Sequence, residues 1–231
     1  MAGEQFTFKQ FIIRQDCCGM KVGTDGVLLG AWASGGRRIL DVGTGTGLIA
    51  LMMAQRFPDA EVYGIDLDTE AVEQARENVR ASVFVPRVNI VHAAVQDYAD
   101  GTFDAIVSNP PYFEHSLKNP DKQRAVARHT DTLSYRDLIQ AANRLLSADG
   151  HLSLVLPTDV LSSVESECAI YGFFSTIRLF IKTNSLKQPK RVLLEVSRKP
   201  LSYHEEIVCL MDDGNHRSEW YDGLTKDFYI K

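Results

Sequence analysis

Short apolar runs typical of β-strands alternate with helical segments along most of this 231-residue chain, and this alternation limits its fold more than any other feature. A strand, a helix and a further strand in succession favour a βαβ unit and a mostly parallel sheet. The last two β-rich runs have no helix between them, which favours an antiparallel hairpin. Strands are predicted over residues 8–13, 38–42, 61–65, 88–92, 103–107, 151–156, 173–181 and 191–197. Helices are predicted over residues 25–33, 48–56, 69–81, 135–146 and 158–171.

The predicted fold is therefore α/β: a Rossmann-like, doubly wound sheet of about seven strands, with helices on both faces and a C-terminal antiparallel hairpin. Hydrophobic residues make up 45% of the chain and charged residues 24%, which is ordinary for a globular protein and excludes a disordered or fibrous one. In an open sheet of this kind, ligands bind outside the carboxyl ends of the strands. Each motif described below falls at one of those ends.

Cysteine spacing and the N-terminal residues bear on metals and on the cellular compartment. The four cysteines form no C-x-x-C pair and match no zinc-site spacing, so we expect reduced thiols and no bound metal. The first residues are polar and lack the apolar core of a signal peptide, and no apolar run approaches the ~20 residues needed to span a bilayer. We therefore expect a cytoplasmic protein without a membrane partner. We also expect a monomer, although no sequence feature determines the oligomeric state.

A glycine-rich loop, DVGTGTG at residues 41–47, follows the first strand of the alternation and opens a helix. Glycines let the chain turn tightly and let a ligand approach the backbone. The spacing differs from the dinucleotide fingerprint G-x-G-x-x-G counted from Gly43, because position 48 is Leu48. Asp41 also places a carboxylate at the mouth of the loop. A carboxylate there disfavours a pyrophosphate and suits a ligand with positive charge, such as a sulfonium with an α-amino group.

Two further acids follow the next strands. Asp66 ends the second strand, where an acid can accept hydrogen bonds from both ribose hydroxyls of an adenosine. Asp97 follows the third strand and is placed to hold an adenine amino group. The loop and the sequence GID at residues 64–66 together resemble the class I S-adenosylmethionine-dependent methyltransferases, over roughly residues 20–197. The resemblance implies S-adenosylmethionine as the cofactor. The candidate cofactor-binding residues are Lys21, Thr24, Asp41, Gly43, Gly45, Asp66, Leu67, Asp97 and Asn109.

The strand at 103–107 leads into Asn109-Pro110-Pro111-Tyr112. The prolines alone could simply end the strand, but that explains neither the asparagine nor the tyrosine. The exocyclic amine of adenine is a poor nucleophile, because its lone pair is delocalised into the ring. The Asn109 side chain and the Pro110 carbonyl, in a stiff backbone, supply two acceptors that favour the pyramidal nitrogen able to attack a methyl group. Tyr112 offers a face for stacking, worth about 1–3 kcal/mol.

Asn-Pro-Pro-Tyr is typical of methyltransferases that act on planar amino or amide nitrogens, and all four residues are candidate catalytic residues. Two substrate classes fit it: nucleobase amines and the side-chain amide of glutamine in proteins. DNA adenine enzymes usually carry a separate recognition domain, for which 231 residues leave no space. A protein-glutamine enzyme usually carries an N-terminal helical domain, and only about 35 residues precede the first core strand here. A non-catalytic RNA-binding scaffold is a third alternative.

Three blocks favour the nucleobase: residues 15–32, residues 108–113 and residues 224–229. Together they resemble the bacterial tRNA adenine-N6 methyltransferases, which modify the adenine beside the anticodon of a valine tRNA. The resemblance implies methylation of an adenine N6 in a tRNA anticodon loop, with tRNA as the partner. It also implies a single methyltransferase domain over residues 1–231. Within it we expect an N-terminal cap at 1–36, a catalytic core at 37–200 and an acidic C-terminal extension at 201–231.

Basic residues concentrate in two segments, although the whole chain carries a net charge of −5. Residues 175–200 hold seven basic side chains and one acid, and residues 113–130 hold four basic and two acidic ones. Residues 204–231 hold three basic and seven acidic side chains. Basic segments of this kind can contact phosphates, and with the family resemblance we interpret them as an RNA surface. The candidate RNA-binding residues are Lys118, Lys122, Arg124, Arg128, Lys187, Lys190 and Arg191.

Overall fold

The computed structural model describes residues 5–16, 21–111 and 133–230. Its strands are β1 (Gln5–Thr7), β2 (Ile12–Arg14), β3 (Arg38–Val42), β4 (Glu61–Asp66), β5 (Val88–His92), β6 (Phe103–Ser108), β7 (Leu146–Pro157), β8 (Phe174–Lys182), β9 (Arg191–Ser197) and β10 (His204–Cys209). Its helices are α1 (Thr24–Trp32), α2 (Leu48–Arg56), α3 (Thr69–Arg80), α4 (Tyr135–Leu145), α5 (Leu161–Ile170) and α6 (Glu219–Thr225). Among these residues no helix is long and apolar enough to cross a membrane.

Eight strands form one sheet in the order β10-β8-β9-β7-β6-β3-β4-β5. The five strands from β7 to β5 are parallel to one another. β9 is antiparallel to both β7 and β8, which confirms the predicted C-terminal hairpin. The predicted α/β sheet is therefore confirmed, with one strand more than expected. The extra strand, β10, pairs in parallel with β8 at the edge of the sheet. Its sequence HEEIVC is rich in charge, as edge strands often are, so its apolar pattern is weak.

The prediction of one continuous strand over residues 8–13 was wrong. The chain forms a small antiparallel hairpin there, with β1 and β2 in the register Gln5↔Arg14. Residues 8–11 form the turn, closed by a hydrogen bond from the Phe8 N–H to the Phe11 carbonyl at 2.9 Å. The two phenylalanine rings stack at 4.7 Å and are buried. Phe8 and Phe11, whose aromatic side chains favoured a strand prediction, therefore lie in a turn and are buried in the core.

Two apolar layers cover the two faces of the large sheet. Helices α1, α2 and α3 bury one face, and α4 and α5 bury the other. Because successive strand residues point to opposite faces, neighbours such as Ile39 and Leu40 belong to different layers. Close packing of α1 on α2 requires a glycine: a Cβ at Gly30 would lie 2.8 Å from the Met52 sulfur.

The carboxyl ends of β3 to β7 meet at one edge of the sheet, which we call the carboxyl edge. The glycine loop, Asp66 and Asn109 therefore follow neighbouring strands at this edge. β9 runs in the opposite direction, and its first residue, Arg191, pairs with Pro157 at the end of β7. The basic loop at 183–190, which precedes β9, therefore lies at the same edge as the candidate site.

Candidate active site

A cavity of about 410 Å³ lies at the carboxyl edge, beside the ends of β3 and β6. Three parts of the chain form its walls: the segment before and at the start of α1, the glycine loop with the start of α2, and the end of β6. The cavity brings together five predicted site residues, which are Lys21, Thr24, Gly43, Gly45 and Asn109. A second cavity, of about 480 Å³, lies around the end of α2 and holds none of the predicted residues.

The position of Asp41 corrects the sequence interpretation. The prediction placed its carboxylate at the mouth of the glycine loop, but the side chain is fully buried beneath the loop. Asp41 Oδ2 accepts hydrogen bonds from Thr44 Oγ1 at 2.7 Å and from the Ala50 N–H at 3.1 Å. The other oxygen, Oδ1, is buried and accepts no hydrogen bond from the described residues. Asp41 therefore holds the loop and the start of α2 in place through Oδ2. Its Oδ1 remains available as a hydrogen-bond acceptor.

Burial raises the pKa of Asp41 from 3.8 to about 7, because the surrounding protein disfavours the charged form. The hydrogen bonds from Thr44 and Ala50 oppose this shift, and the charge of Asp66 adds to it. A cation near Asp41 would stabilise its ionised form. Asp41 itself does not line the cavity, because it lies beneath the loop residues that do.

The glycine loop is fixed to the end of β4 by three backbone donors. The N–H groups of Gly43 and Thr44 both donate to the Ile65 carbonyl, at 2.9 and 3.0 Å. The Gly45 N–H donates to Asp66 Oδ2 at 2.8 Å. Gly43 and Gly45 have φ values of +71° and +54°, which favour glycine. A Cβ at either position would meet nothing within 4 Å, so the space above the loop is open to a ligand.

Asp66, Leu67 and Asp97 lie at the ends of β4 and β5 and do not line the cavity itself. Asp66 Oδ1 accepts the Asp68 N–H at 3.0 Å, and each carboxylate oxygen keeps further acceptor capacity. Leu67 exposes 42% of its surface next to Asp66. Its carbonyl lies 2.8 Å from His92 Nε2, which must be the donor because a carbonyl only accepts. Asp97 is exposed in the turn after β5.

The Asn-Pro-Pro segment is held to the glycine loop through the end of β6. Ser108, its last residue, is fully buried, and its hydroxyl donates to the Val42 carbonyl at 2.7 Å. This bond ties β6 to β3 where the glycine loop begins, and Asn109 and the glycine loop both line the cavity. Pro110 is buried and Pro111 half-buried. Tyr112 lies outside the described residues.

The predicted RNA-binding residues differ in their surroundings. Lys187 and Lys190 are exposed on the loop 183–190 at the carboxyl edge. Arg191 instead forms an ion pair with Asp25 in α1, from Nε to Oδ2 at 2.8 Å. Because Asp25 lines the cavity, this pair joins the base of the basic loop to the cavity wall. Lys118, Lys122, Arg124 and Arg128 lie outside the described residues.

Sequence reasoning missed several residues that hold the site together. Thr44 and Ser108 are buried hydroxyls that fix the glycine loop and the end of β6. Asn78 is a buried amide on the apolar face of α3. The sequence could have indicated it, because Asn78 is a polar residue within the apolar stripe of this helix. Across the described residues, no group of three or more histidine, cysteine, aspartate or glutamate side chains is arranged to hold a metal ion.

Comparison with known proteins places this site in a family. The sequence profile of the Methyltransferase small domain matches residues 23–187. A protein of Tolumonas auensis is 42% identical over 234 residues, covering 100% of this chain and 99% of its own. A protein of Phocaeicola vulgatus is 46% identical over 239 residues, with 100% and 99% coverage. Both are named tRNA1(Val) (adenine(37)-N6)-methyltransferase.

Among solved structures, a predicted O-methyltransferase from Agrobacterium tumefaciens superposes with a TM-score of 0.71. The match covers 88% of this chain and 96% of that protein, at 21% sequence identity. At this identity the likeness concerns the fold alone. It agrees with the doubly wound sheet described above.

We predict that Asp41→Asn changes how stability depends on pH. The folded pKa of Asp41 lies above its unfolded value, so its contribution is complete below pH 4 and is lost as the pH rises through about 7. Asparagine can keep an acceptor for Thr44 and Ala50 without a charge. Urea unfolding should therefore show the variant gaining on the order of 2 kcal/mol relative to wild type between pH 5 and pH 8. Parallel curves for the two proteins would contradict the buried, titrating carboxylate.

Proposed function

We propose that this chain, which belongs to the Methyltransferase small domain family together with the tRNA1(Val) (adenine(37)-N6)-methyltransferases, transfers a methyl group to the N6 amine of an adenine in a tRNA anticodon loop. The observation that carries the proposal is the cavity that Asn109 and the glycine loop line together. Relatives that share this chain over its full length support the adenine of tRNA rather than a protein glutamine as the substrate.

S-adenosylmethionine fits the residues at the carboxyl edge. The buried Asp41 Oδ1 is an acceptor without a donor among the described residues, and the space above Gly43 and Gly45 is open. The cofactor has an α-ammonium group and a sulfonium, and both suit a carboxylate. We assign its amino-acid end to Asp41, Lys21 and Thr24, the ribose hydroxyls to Asp66, and the adenine to Leu67 and Asp97. When bound, the cofactor supplies an electrophilic methyl group.

The residues of this chain act mainly by positioning the target amine. The Asn109 side-chain oxygen and the Pro110 carbonyl accept hydrogen bonds from its two N–H groups, which favours the pyramidal, nucleophilic form. The Ser108 bond to Val42 fixes this segment against the glycine loop, so the acceptors are preorganised. The ring of Tyr112 stacks on the adenine after it leaves the base stack. No strong base is required, because the proton leaves once the nitrogen has become cationic; orientation and carbonyl dipoles carry the catalysis.

Basic side chains at the carboxyl edge provide the surface for tRNA. Lys187 and Lys190 are exposed on the loop 183–190, next to the cavity. We assign them to phosphate contacts, together with Lys118, Lys122, Arg124 and Arg128 from the segment after Tyr112. Arg191 shares the edge, but its pairing with Asp25 gives it a structural role as well. A monomeric, cytoplasmic enzyme with the predicted cap, core and extension remains the expectation from the sequence.

Transfer of tritiated methyl groups tests the proposed function. Wild-type protein and labelled S-adenosylmethionine are incubated separately with total tRNA, total protein and DNA from a strain that lacks the gene. Label should enter tRNA, appear as N6-methyladenosine after digestion, and fail to enter a valine tRNA transcript whose adenine beside the anticodon is replaced by guanine. Label in protein would instead support the glutamine alternative. Label in none of the three would support a non-catalytic scaffold.

We predict that Asp66→Ala weakens binding of S-adenosylhomocysteine by at least about tenfold, because hydrogen bonds to a charged acceptor contribute about 1.5–3 kcal/mol each. Calorimetry measures the effect, and NADH should give no comparable signal. Asp68→Ala is the matched control. Asp68 accepts the Glu70 N–H at the start of α3, so its loss should reduce stability by about 1 kcal/mol and leave ligand affinity intact. Equal affinities in the two variants would contradict the ribose assignment.

We predict that Asn109→Ala lowers kcat by a factor of about 10²–10³, because it removes one preorganised acceptor whose hydrogen bond strengthens in the transition state. Single-turnover methylation of tRNA measures the rate, and calorimetry checks that S-adenosylhomocysteine still binds. Asn89→Ala, at an exposed position on β5, is the control and should retain full activity. Full activity in Asn109→Ala would reject the acceptor mechanism and leave Asn-Pro-Pro-Tyr as a structural turn.

We predict that replacing both Lys187 and Lys190 with glutamate raises the tRNA KM and reduces the salt dependence of tRNA binding. Each lost phosphate contact should lower the slope of log K against log salt by about one. Affinity for S-adenosylhomocysteine should not change. Lys226→Glu, at an exposed position in the acidic segment 204–231, is the control. An unchanged salt slope in the double variant would place the RNA surface elsewhere, most directly on residues 113–130.

A further inference from the structure

Asn78 is a polar side chain in the apolar face of α3, and only 1% of its surface is exposed. Its amide group makes three hydrogen bonds to backbone atoms. Oδ1 accepts the Arg14 N–H at 2.8 Å, and Nδ2 donates to the carbonyls of Arg14 and Thr46, both at 2.9 Å. Both donors of the amide are therefore used, at ordinary distances, within a buried environment.

The three bonds join two walls of the cavity from outside it. Thr46 belongs to the glycine loop and lines the cavity directly. Arg14 ends β2, and the next residue, Gln15, is 5% exposed and accepts the Val22 N–H on its Oε1 at 2.8 Å. Val22 also lines the cavity, in the segment before α1. Asn78 thus connects the glycine loop to the segment before α1 through Arg14 and Gln15.

Tight packing would transmit a displacement of α3 to the glycine loop. A Cβ placed on Gly47 would lie only 3.3 Å from the Ala75 Cβ, one turn before Asn78 on the same helix. Gly47 is the residue before α2 and has a φ of +80°. Little room exists between α3 and the loop, so the backbone partners of Asn78 have few alternative positions.

We infer that Asn78 is a positioning residue for the cofactor site: it sets the separation between the glycine loop and the segment at residues 21–24 without touching the cofactor. A merely structural role predicts a loss of stability and nothing else. A positioning role predicts in addition a loss of cofactor affinity, because the two walls relax apart when their shared partner is removed. The inference rests on the proposed cofactor and goes beyond it by naming a residue outside the cavity.

Calorimetry with S-adenosylhomocysteine tests the inference on Asn78→Ala and Asn78→Leu. Alanine removes both volume and hydrogen bonds, whereas leucine keeps most of the volume and removes only the bonds. Both should raise the dissociation constant roughly tenfold or more. The KM for S-adenosylmethionine should rise in parallel, while the KM for tRNA stays within about twofold of wild type. The control is Val79→Ala, the next residue of α3 and also buried, which should lower the melting temperature with affinity within about twofold of wild type.

Three outcomes separate the possibilities. Wild-type protein that does not bind S-adenosylhomocysteine refutes the proposed function itself. Wild-type binding with unchanged affinity in folded Asn78 variants overturns the positioning role only. If neither variant folds, amide exchange in the wild type decides. S-adenosylhomocysteine should slow exchange of the Arg14 N–H, which Asn78 holds, by at least about tenfold relative to the Phe8 N–H, which donates to the Phe11 carbonyl in the same hairpin. Equal effects on the two amides would overturn the inference.

Discussion

A single buried carboxylate supports the glycine loop on which the rest of the site is built. Asp41 lies beneath the loop, holds it through Thr44, and holds the start of α2 through the Ala50 N–H. Asp66 holds the same loop from the side, through the Gly45 N–H. Two acids therefore fix the glycine and threonine residues at positions 43–47 of this loop. Burial raises the pKa of Asp41, so ionising this carboxyl group is costly, and a cation close to it would reduce that cost.

The parallel sheet makes this site possible, because the carboxyl ends of several neighbouring strands lie at one edge. The loop after β3, the acid at the end of β4 and Asn109 after β6 come from distant parts of the chain. Their positions are fixed by bonds between strand ends, such as Ser108 to Val42. Chemistry that depends on orientation rather than on a strong base needs this kind of rigid support.

Charge is divided across the carboxyl edge in a way that suits two different ligands. Asp41 and Asp66 lie at the glycine loop, where a cationic cofactor would bind. Lys187 and Lys190 lie on the neighbouring loop, where a polyanion would bind. The ion pair between Asp25 and Arg191 connects the two regions, because Asp25 lines the cavity and Arg191 directly follows the basic loop. An enzyme that must hold a sulfonium and an RNA side by side requires such a separation of charge.

Much of the fold follows from the sequence because periodicity and turn residues mark the core elements. Strands β3, β5 and β9 and helix α2 have the predicted bounds. β10 was missed because its charged residues interrupt the apolar alternation of a strand. The N-terminal hairpin was missed because its aromatic residues, which are typical of strands, lie in the turn. The depth of Asp41 was missed for a different reason: its partners, Thr44 and Ala50, are near in the sequence, but only the folded turn shows that the carboxylate lies beneath the loop. The Asp25–Arg191 pair was missed because it joins residues 166 positions apart, which local patterns do not connect.

The most direct test of the proposed cofactor site is a crystal structure of the protein with S-adenosylhomocysteine. We expect the ribose hydroxyls to lie within hydrogen-bonding distance of Asp66 while its bond to the Gly45 N–H persists. We also expect the amino-acid end to occupy the open space above Gly43 and Gly45, next to Asp41. A ligand bound instead in the cavity at the end of α2, or an Asp66 carboxylate turned away from the ribose, would contradict the proposed cofactor site.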